Sequence, residues 1–113
     1  MQLSNSTLKE IELAVDLFCY ALVPPEDAEG VLLSLSSSNK EMFSKKFLIS
    51  KVREVNSVHR EIALEYGMCA RSFFMISLNE KNAANLVLQV VDLTKGAFGE
   101  GRVIVLHENE QLM

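Results

Sequence analysis

The chain has no tryptophan, two cysteines and two prolines, and its apolar runs are short. The most apolar stretch, residues 13–23, is interrupted by Asp16 and ends at two prolines, whereas a membrane-spanning helix needs about 20 apolar residues. Cys19 and Cys69 match no CxxC spacing, so we interpret them as buried apolar residues in a reducing compartment. The first residues lack the basic region of a signal peptide. We therefore predict a cytoplasmic protein without a membrane partner.

Signatures of enzymes and of bound ions are also absent. The sequence contains no H-E-x-x-H zinc motif and no Gly-x-Ser-x-Gly nucleophile turn. Glycines at positions 96, 99 and 101 do not follow the order of a dinucleotide-binding loop, and the residues after them favour a strand where such a loop precedes a helix. We therefore predict no metal and no cofactor.

The size and composition favour one compact unit. A chain of 113 residues with 49% apolar residues can bury a core without disulfides, so we predict a single domain over residues 1–113. The mean hydropathy of +0.16 is high for so small a protein. Because small domains have much surface for their volume, we expect a second copy to cover part of the apolar surface, and we predict a homodimer.

Charge is distributed unevenly along the chain. Residues 39–61 contain six of the eleven Lys and Arg residues and three acids, whereas residues 1–38 contain one lysine and six acids. The basic segment must therefore face acidic groups, either those of its own chain or those of a partner, and an acidic protein is one candidate. The sequence leaves open whether this segment packs within the chain or across a dimer.

Helical spacing dominates the first two thirds of the sequence. A capping box at residues 7–10 precedes apolar residues at helical intervals, which predicts a helix over residues 8–22. Pro25 suits the first turn of a second helix. A second capping box at residues 38–41 and an apolar seam from Leu48 to Tyr66 predict one long helix over residues 39–66, which Gly67 ends.

The last third has a different pattern. Residues 73–76 and 102–107 are short apolar runs typical of strands, and residues 80–95 fit a strand or a helix. We therefore predict an α+β fold in which two or three N-terminal helices, one of them long, are followed by a small antiparallel hairpin or meander. A mostly α-helical fold is the second alternative.

Three basic residues of the long segment and one phenylalanine beyond it are candidates for a partner-binding site. Lys46, Arg53 and Arg60 are spaced seven apart and would form one stripe on a helix. This stripe could contact a partner or track phosphates, although a pI near 5.1 and the few aromatic residues are unlike a dedicated nucleic-acid-binding protein. Phe98, within a glycine-rich stretch, is a candidate apolar anchor for a partner.

Arg53 and His59 also form an R-x5-H sequence, which resembles the short Arg/His motif of HEPN-type ribonucleases. The resemblance implies an all-helical fold in which these two side chains handle a scissile phosphate near a dimer seam. It makes a small ribonuclease or a phosphate-binding protein an alternative function that uses Arg53 and His59.

The weight of these observations favours a protein without catalytic activity. We predict a small regulatory or protein-interaction domain that dimerises through its long helix and binds partners through Lys46, Arg53, Arg60 and Phe98. A nucleic-acid-binding module that uses the basic stripe remains a further alternative.

Overall fold

The computed structural model describes residues 15–108 and 111–113, and its core is an antiparallel sheet. The strand order is β2-β4-β1-β5-β6, and β3 lies beyond β2 on the same edge of β4. All pairs are antiparallel. The strands are β1 (Asp16–Ala21), β2 (Phe47–Ile49), β3 (Arg53–Glu54), β4 (Ser72–Leu78), β5 (Val103–His107) and β6 (Gln111–Leu112).

Three α-helices connect these strands within the described residues. They are α1 (Pro25–Ser38), α2 (Ser57–Glu65) and α3 (Val87–Phe98). A π-helical turn at Met42–Lys46 leads into β2, and a 3₁₀ segment at Lys81–Leu86 leads into α3. Pro25 occupies the first turn of α1, as the sequence predicts.

The two faces of the sheet are covered by different helices. Helices α1 and α3 lie on one face, where they enclose the main core with Leu17, Phe74 and Val105. The short helix α2 packs through Ala63 on the opposite face, against a smaller apolar cluster. Because successive side chains of a strand point to opposite faces, β1 and β4 contribute residues to both clusters.

The prediction of a helix over residues 8–22 is wrong where the structure describes it. Residues 16–21 form β1, the central strand. Residues 7–14, which include the capping box, lie outside the described residues. A near-continuous apolar run is typical of a strand buried on both faces, and Leu17 pairs with Ile76 on one side and His107 on the other. The helical spacing of this run was therefore coincidental.

The long helix over residues 39–66 is also wrong. The segment forms a helical turn that ends at Lys46, then β2, β3 and α2, so only the two ends of the predicted helix are helical. Phe47 is buried, Leu48 is exposed and Ile49 is half-buried, which is the alternation of an edge strand. Asn56 begins α2, because its side-chain oxygen accepts a hydrogen bond from the His59 N–H at 2.8 Å.

The C-terminal third agrees better with its predictions. Strands at 73–76 and 102–107 are confirmed as β4 and β5, and the helical alternative for residues 80–95 is correct. The predicted order of a helical unit followed by a small hairpin is nevertheless wrong, because the sheet is the centre of the molecule and uses strands from both ends of the chain. The mostly α-helical alternative is wrong for the same reason.

Candidate protein-interaction surface

His59 contributes to the packing of α2 on the sheet. Its imidazole ring stacks on Phe73 with the centroids 4.1 Å apart, and it meets Tyr20 edge-on at 5.9 Å. The buried Nδ1 atom has no hydrogen-bond partner among the described residues. Burial lowers the pKa of His59, and the positive charge of Arg53 lowers it further. The ring is therefore neutral near pH 7 and packs as an aromatic residue.

The environment of His59 argues against the ribonuclease alternative. Arg53 lies on β3 opposite Phe73, and His59 lies on the first turn of α2, so the two side chains are neighbours through tertiary structure. The sheet contradicts the all-helical fold that the HEPN resemblance implies. The stacked imidazole has its Nδ1 turned away from solvent, which is unlike an acid or base that must reach a substrate proton.

Arg53 and Arg60 are brought to the same end of the sheet. Both side chains are exposed, and neither makes an ion pair with any described residue. Arg60 lines a shallow depression together with Arg71, Glu54 and Glu26. Exposed guanidinium groups without ion-pair partners are available to carboxylates or carbonyls of another molecule.

Lys46 does not belong with these arginines. It precedes β2, whose Phe47 pairs with Leu78, whereas Arg53 pairs with Phe73 at the other end of β4. Five residues of a strand span about 17 Å, so the predicted stripe is divided into two separate places. The ammonium group of Lys46 also has a partner, since it lies 3.7 Å from a Glu41 carboxylate oxygen.

Phe98 is not an exposed anchor. It is the last residue of α3, it is buried, and its ring stacks on Phe74 with the centroids 5.6 Å apart. The positive φ of Gly99, +100°, turns the chain after it towards β5. The glycine-rich stretch therefore closes the helix–strand connection, and Phe98 contributes to the core.

The outward side of α2 carries apolar groups that the sequence analysis missed. Val58 is 59% exposed and Leu64 is 51% exposed, and Arg60 and Glu61 lie between them on the helix. The predicted long helix concealed this face, because Leu64 falls outside its apolar seam. We define the α2 surface as Arg53, Val58, Arg60, Glu61 and Leu64, a mixture of apolar and charged groups that is typical of protein interfaces.

The remaining chemistry is sparse. The parts of the chain that the structure describes contain no group of His, Cys, Asp or Glu side chains arranged to hold a metal ion. Cys19 is buried as predicted, and burial raises the pKa of its thiol far above the usual range, whereas Cys69 is exposed. None of the described helices has the length and apolar character required to cross a bilayer.

Comparison with known proteins identifies the family. The family described as CDI System Immunity Component matches residues 13–111. Immunity protein CdiI-2 of Burkholderia pseudomallei (strain 1026b) is 42% identical over 98 residues, which cover 87% of this chain and 97% of that protein. A chain in the solved CdiA-CT/CdiI toxin and immunity complex from Burkholderia pseudomallei is 41% identical, with a TM-score of 0.85 over 88% of this chain and 96% of that chain.

These findings decide between the predicted partners. The related structure is a complex of a toxin with an immunity protein, which supports the predicted protein-interaction role and contradicts the predicted homodimer. The homodimer also depended on a long helix that the fold does not contain. Similarity extends over almost the full length of the relative, so it concerns the whole fold and not one motif. This chain therefore belongs to the CDI System Immunity Component family.

Proposed function

We propose that this protein is an immunity protein that binds a CdiA-CT-type toxin domain and blocks its activity. The observation that carries the proposal is the 42% identity to immunity protein CdiI-2 over 97% of that protein's length. Identity at this level over a whole domain supports a shared type of partner. The partner of this chain can still differ in sequence from the toxin of the relative, because specificity depends on a few interface residues.

We further propose that the α2 surface contacts the toxin. Arginine is enriched among the residues that dominate binding energy, and Arg53 and Arg60 project from two different elements at one end of the sheet. Val58 and Leu64 supply the apolar contacts that a surface of charges alone would lack. An apolar cluster lies beneath α2, so the backbone of the surface is held in place and the entropy lost on binding is mainly that of its exposed side chains.

The mixed charges on this surface support selectivity. Glu61 follows Arg60 on α2, and Glu54 and Glu26 line the same depression as Arg60, so carboxylates lie within and beside this surface. A toxin must place a carboxylate near each arginine and keep its own acids away from each glutamate. A toxin with a different arrangement would meet like charges, which costs binding energy and disfavours the wrong pair.

The function can be tested with the CdiA-CT domain encoded in the same genome, and with the toxin of the Burkholderia complex as a comparison. We expect co-expression of this protein to restore growth of cells that produce the first toxin. We expect calorimetry with purified proteins to give a dissociation constant of about micromolar or tighter. Absence of both growth protection and binding with that toxin would show that the proposed function is wrong.

The surface can be tested separately with matched variants. Arg53→Ala and Arg60→Ala together should weaken toxin binding by about tenfold or more, while Lys40→Ala, an exposed base just after α1, should change it by less than about twofold. Leu64→Ala should weaken binding, whereas Leu88→Ala on α3 should not. Equal effects of the α2 variants and their controls would place the interface elsewhere.

A further inference from the structure

A groove runs between α1 and the sheet edge formed by β2 and β3. Its lining includes the apolar residues Leu32, Leu33, Ile49 and Val52 and the charged residues Glu29 and Lys51. Leu33 is 70% exposed, although it lies in the middle of a helix that packs on the sheet. A large apolar side chain left open beside a concave surface is a candidate for contact with another molecule.

The sheet edge beside this groove has unpaired backbone groups. The N–H of Ser50 donates to the carbonyl of Met75 at 2.8 Å, and the N–H of Asn79 donates to the carbonyl of Lys46 at 2.8 Å. In an antiparallel ladder, alternate residues turn their N–H and C=O groups towards the neighbouring strand. The backbone groups of Ile49 therefore point away from β4, and β2 has no further strand beyond it among the described residues.

A bulge follows this open edge. Ile49 pairs with Ile76 and Arg53 pairs with Phe73, so four steps along the edge correspond to three steps along β4. The extra residue lies within 50–52, next to the open backbone groups of Ile49. Edges interrupted in this way are short, so an added strand can follow this one for only a few residues.

We propose that this groove and edge receive an extended segment of the toxin, which adds as a strand beside β2. This inference rests on the proposed function. The backbone of the segment would hydrogen-bond with Ile49, and its alternate side chains would contact Leu33 and the other apolar residues of the groove lining. Apolar residues at alternate positions of the segment are therefore the chemistry that this site selects.

A second copy of this chain is the less suitable occupant. Lys51 and Arg53 are exposed on the same edge, and two copies paired through it would bring these bases close together. A toxin segment can instead place carboxylates near them. The edge is also continuous with the α2 surface, because Arg53 belongs to both, so one toxin could contact the helix and the groove at the same time.

The inference is tested by comparing Leu33→Glu with Leu88→Glu. Both leucines are highly exposed, at 70% and 68%, so both variants should fold with near-normal thermal stability. A charge at position 33 would oppose an apolar segment in the groove, whereas position 88 lies on a different helix. We expect Leu33→Glu to weaken binding of the purified toxin domain by about tenfold or more and Leu88→Glu by less than about twofold.

Hydrogen exchange of the wild-type protein provides the second measurement. Addition of the toxin should slow exchange of the Ile49 amide, because its outward N–H gains a partner in the added strand. If the wild-type protein binds the toxin but the Ile49 amide exchanges at its former rate and Leu33→Glu binds normally, the groove inference is overturned and the proposed function stands. If the wild-type protein does not bind the toxin at all, the proposed function fails first.

Discussion

His59 stacks on Phe73 with the ring centroids 4.1 Å apart and 25° between the ring planes. The two residues belong to α2 and β4, and their contact places α2 on the face of the sheet opposite α1 and α3. The α2 surface depends on this contact, because Arg60 lies directly after His59 and Arg53 lies opposite Phe73. His59, which the sequence analysis names only as a candidate for the alternative ribonuclease function, therefore packs as an aromatic residue between α2 and the sheet.

Protonation of His59 should destabilise the protein. The pKa of His59 is lowered in the folded state, so the unfolded chain binds its proton more readily. The stability contribution is present above the unfolded pKa of about 6.5 and declines as the pH falls below that value. Chemical denaturation at pH 7.5 and pH 5.0 measures the decline. His59→Phe, which keeps an aromatic ring, should lose less stability over this range, and an equal loss would contradict the assignment.

Phe98 should matter for folding and not for binding. Phe98→Ala removes a buried ring that stacks on Phe74, so we expect a loss of about 3–5 kcal/mol in the free energy of unfolding. Leu88→Ala, on the exposed side of the same helix, should cost less than about 1 kcal/mol. Urea denaturation distinguishes the two variants. If Phe98→Ala kept near-normal stability but bound the toxin more weakly, Phe98 would be a partner-binding residue, and its assignment to the core would be wrong.

Replacement by alanine should lower the stability of the protein at Gly67 and raise it at Gly96. Gly67 ends α2 with a φ of +80°, which disfavours residues with a side chain, so Gly67→Ala should destabilise by about 1 kcal/mol. Gly96 lies within α3, and a Cβ added there would meet no atom within 4 Å. Gly96→Ala should therefore stabilise by about 0.5–1 kcal/mol, because alanine favours the helix. Thermal denaturation of both variants gives the comparison, and effects of the same sign would contradict it.

The start of α2 can be tested at Asn56. Asn56→Ala removes the acceptor of the His59 N–H, so we expect a loss of about 1 kcal/mol. Asn56→Asp retains an acceptor at the same position and should retain most of the stability. Because α2 carries Val58, Arg60 and Leu64, fraying of its first turn should also weaken toxin binding. If Asn56→Ala and Asn56→Asp were equally stable, the cap would contribute nothing.

Proline and glycine predicted some ends of elements, whereas the capping box at residues 38–41 is wrong, because Ser38 ends α1. Pro25 begins α1, Gly67 follows α2, and the apolar run before His107 is a strand. Pro25 and Gly67 act through their own backbone preferences, which depend little on the rest of the fold. The absence of a metal or nucleotide motif and the segregation of charge were equally visible without a structure.

Local spacing failed where tertiary pairing decided the conformation. Apolar residues over 16–21 and 47–55 fit a helix, but the strands they form obtain their hydrogen bonds from β4 and β5, which are far along the chain. A spacing pattern has no information about those partners, and their pairing overrides a weak helical preference. The same sheet separated Lys46 from Arg53 and buried Phe98.

The sequence by itself therefore determined the proline and glycine positions that bound α1 and α2 and the basic residues available for contact. Only the tertiary structure decided which of those residues share a surface, because Arg53, His59 and Phe73 meet through strand pairing and ring stacking between separate elements. The exposed edge at Ile49 is also decided by tertiary structure. Its backbone groups are unpaired because β2 is an outer strand of the sheet.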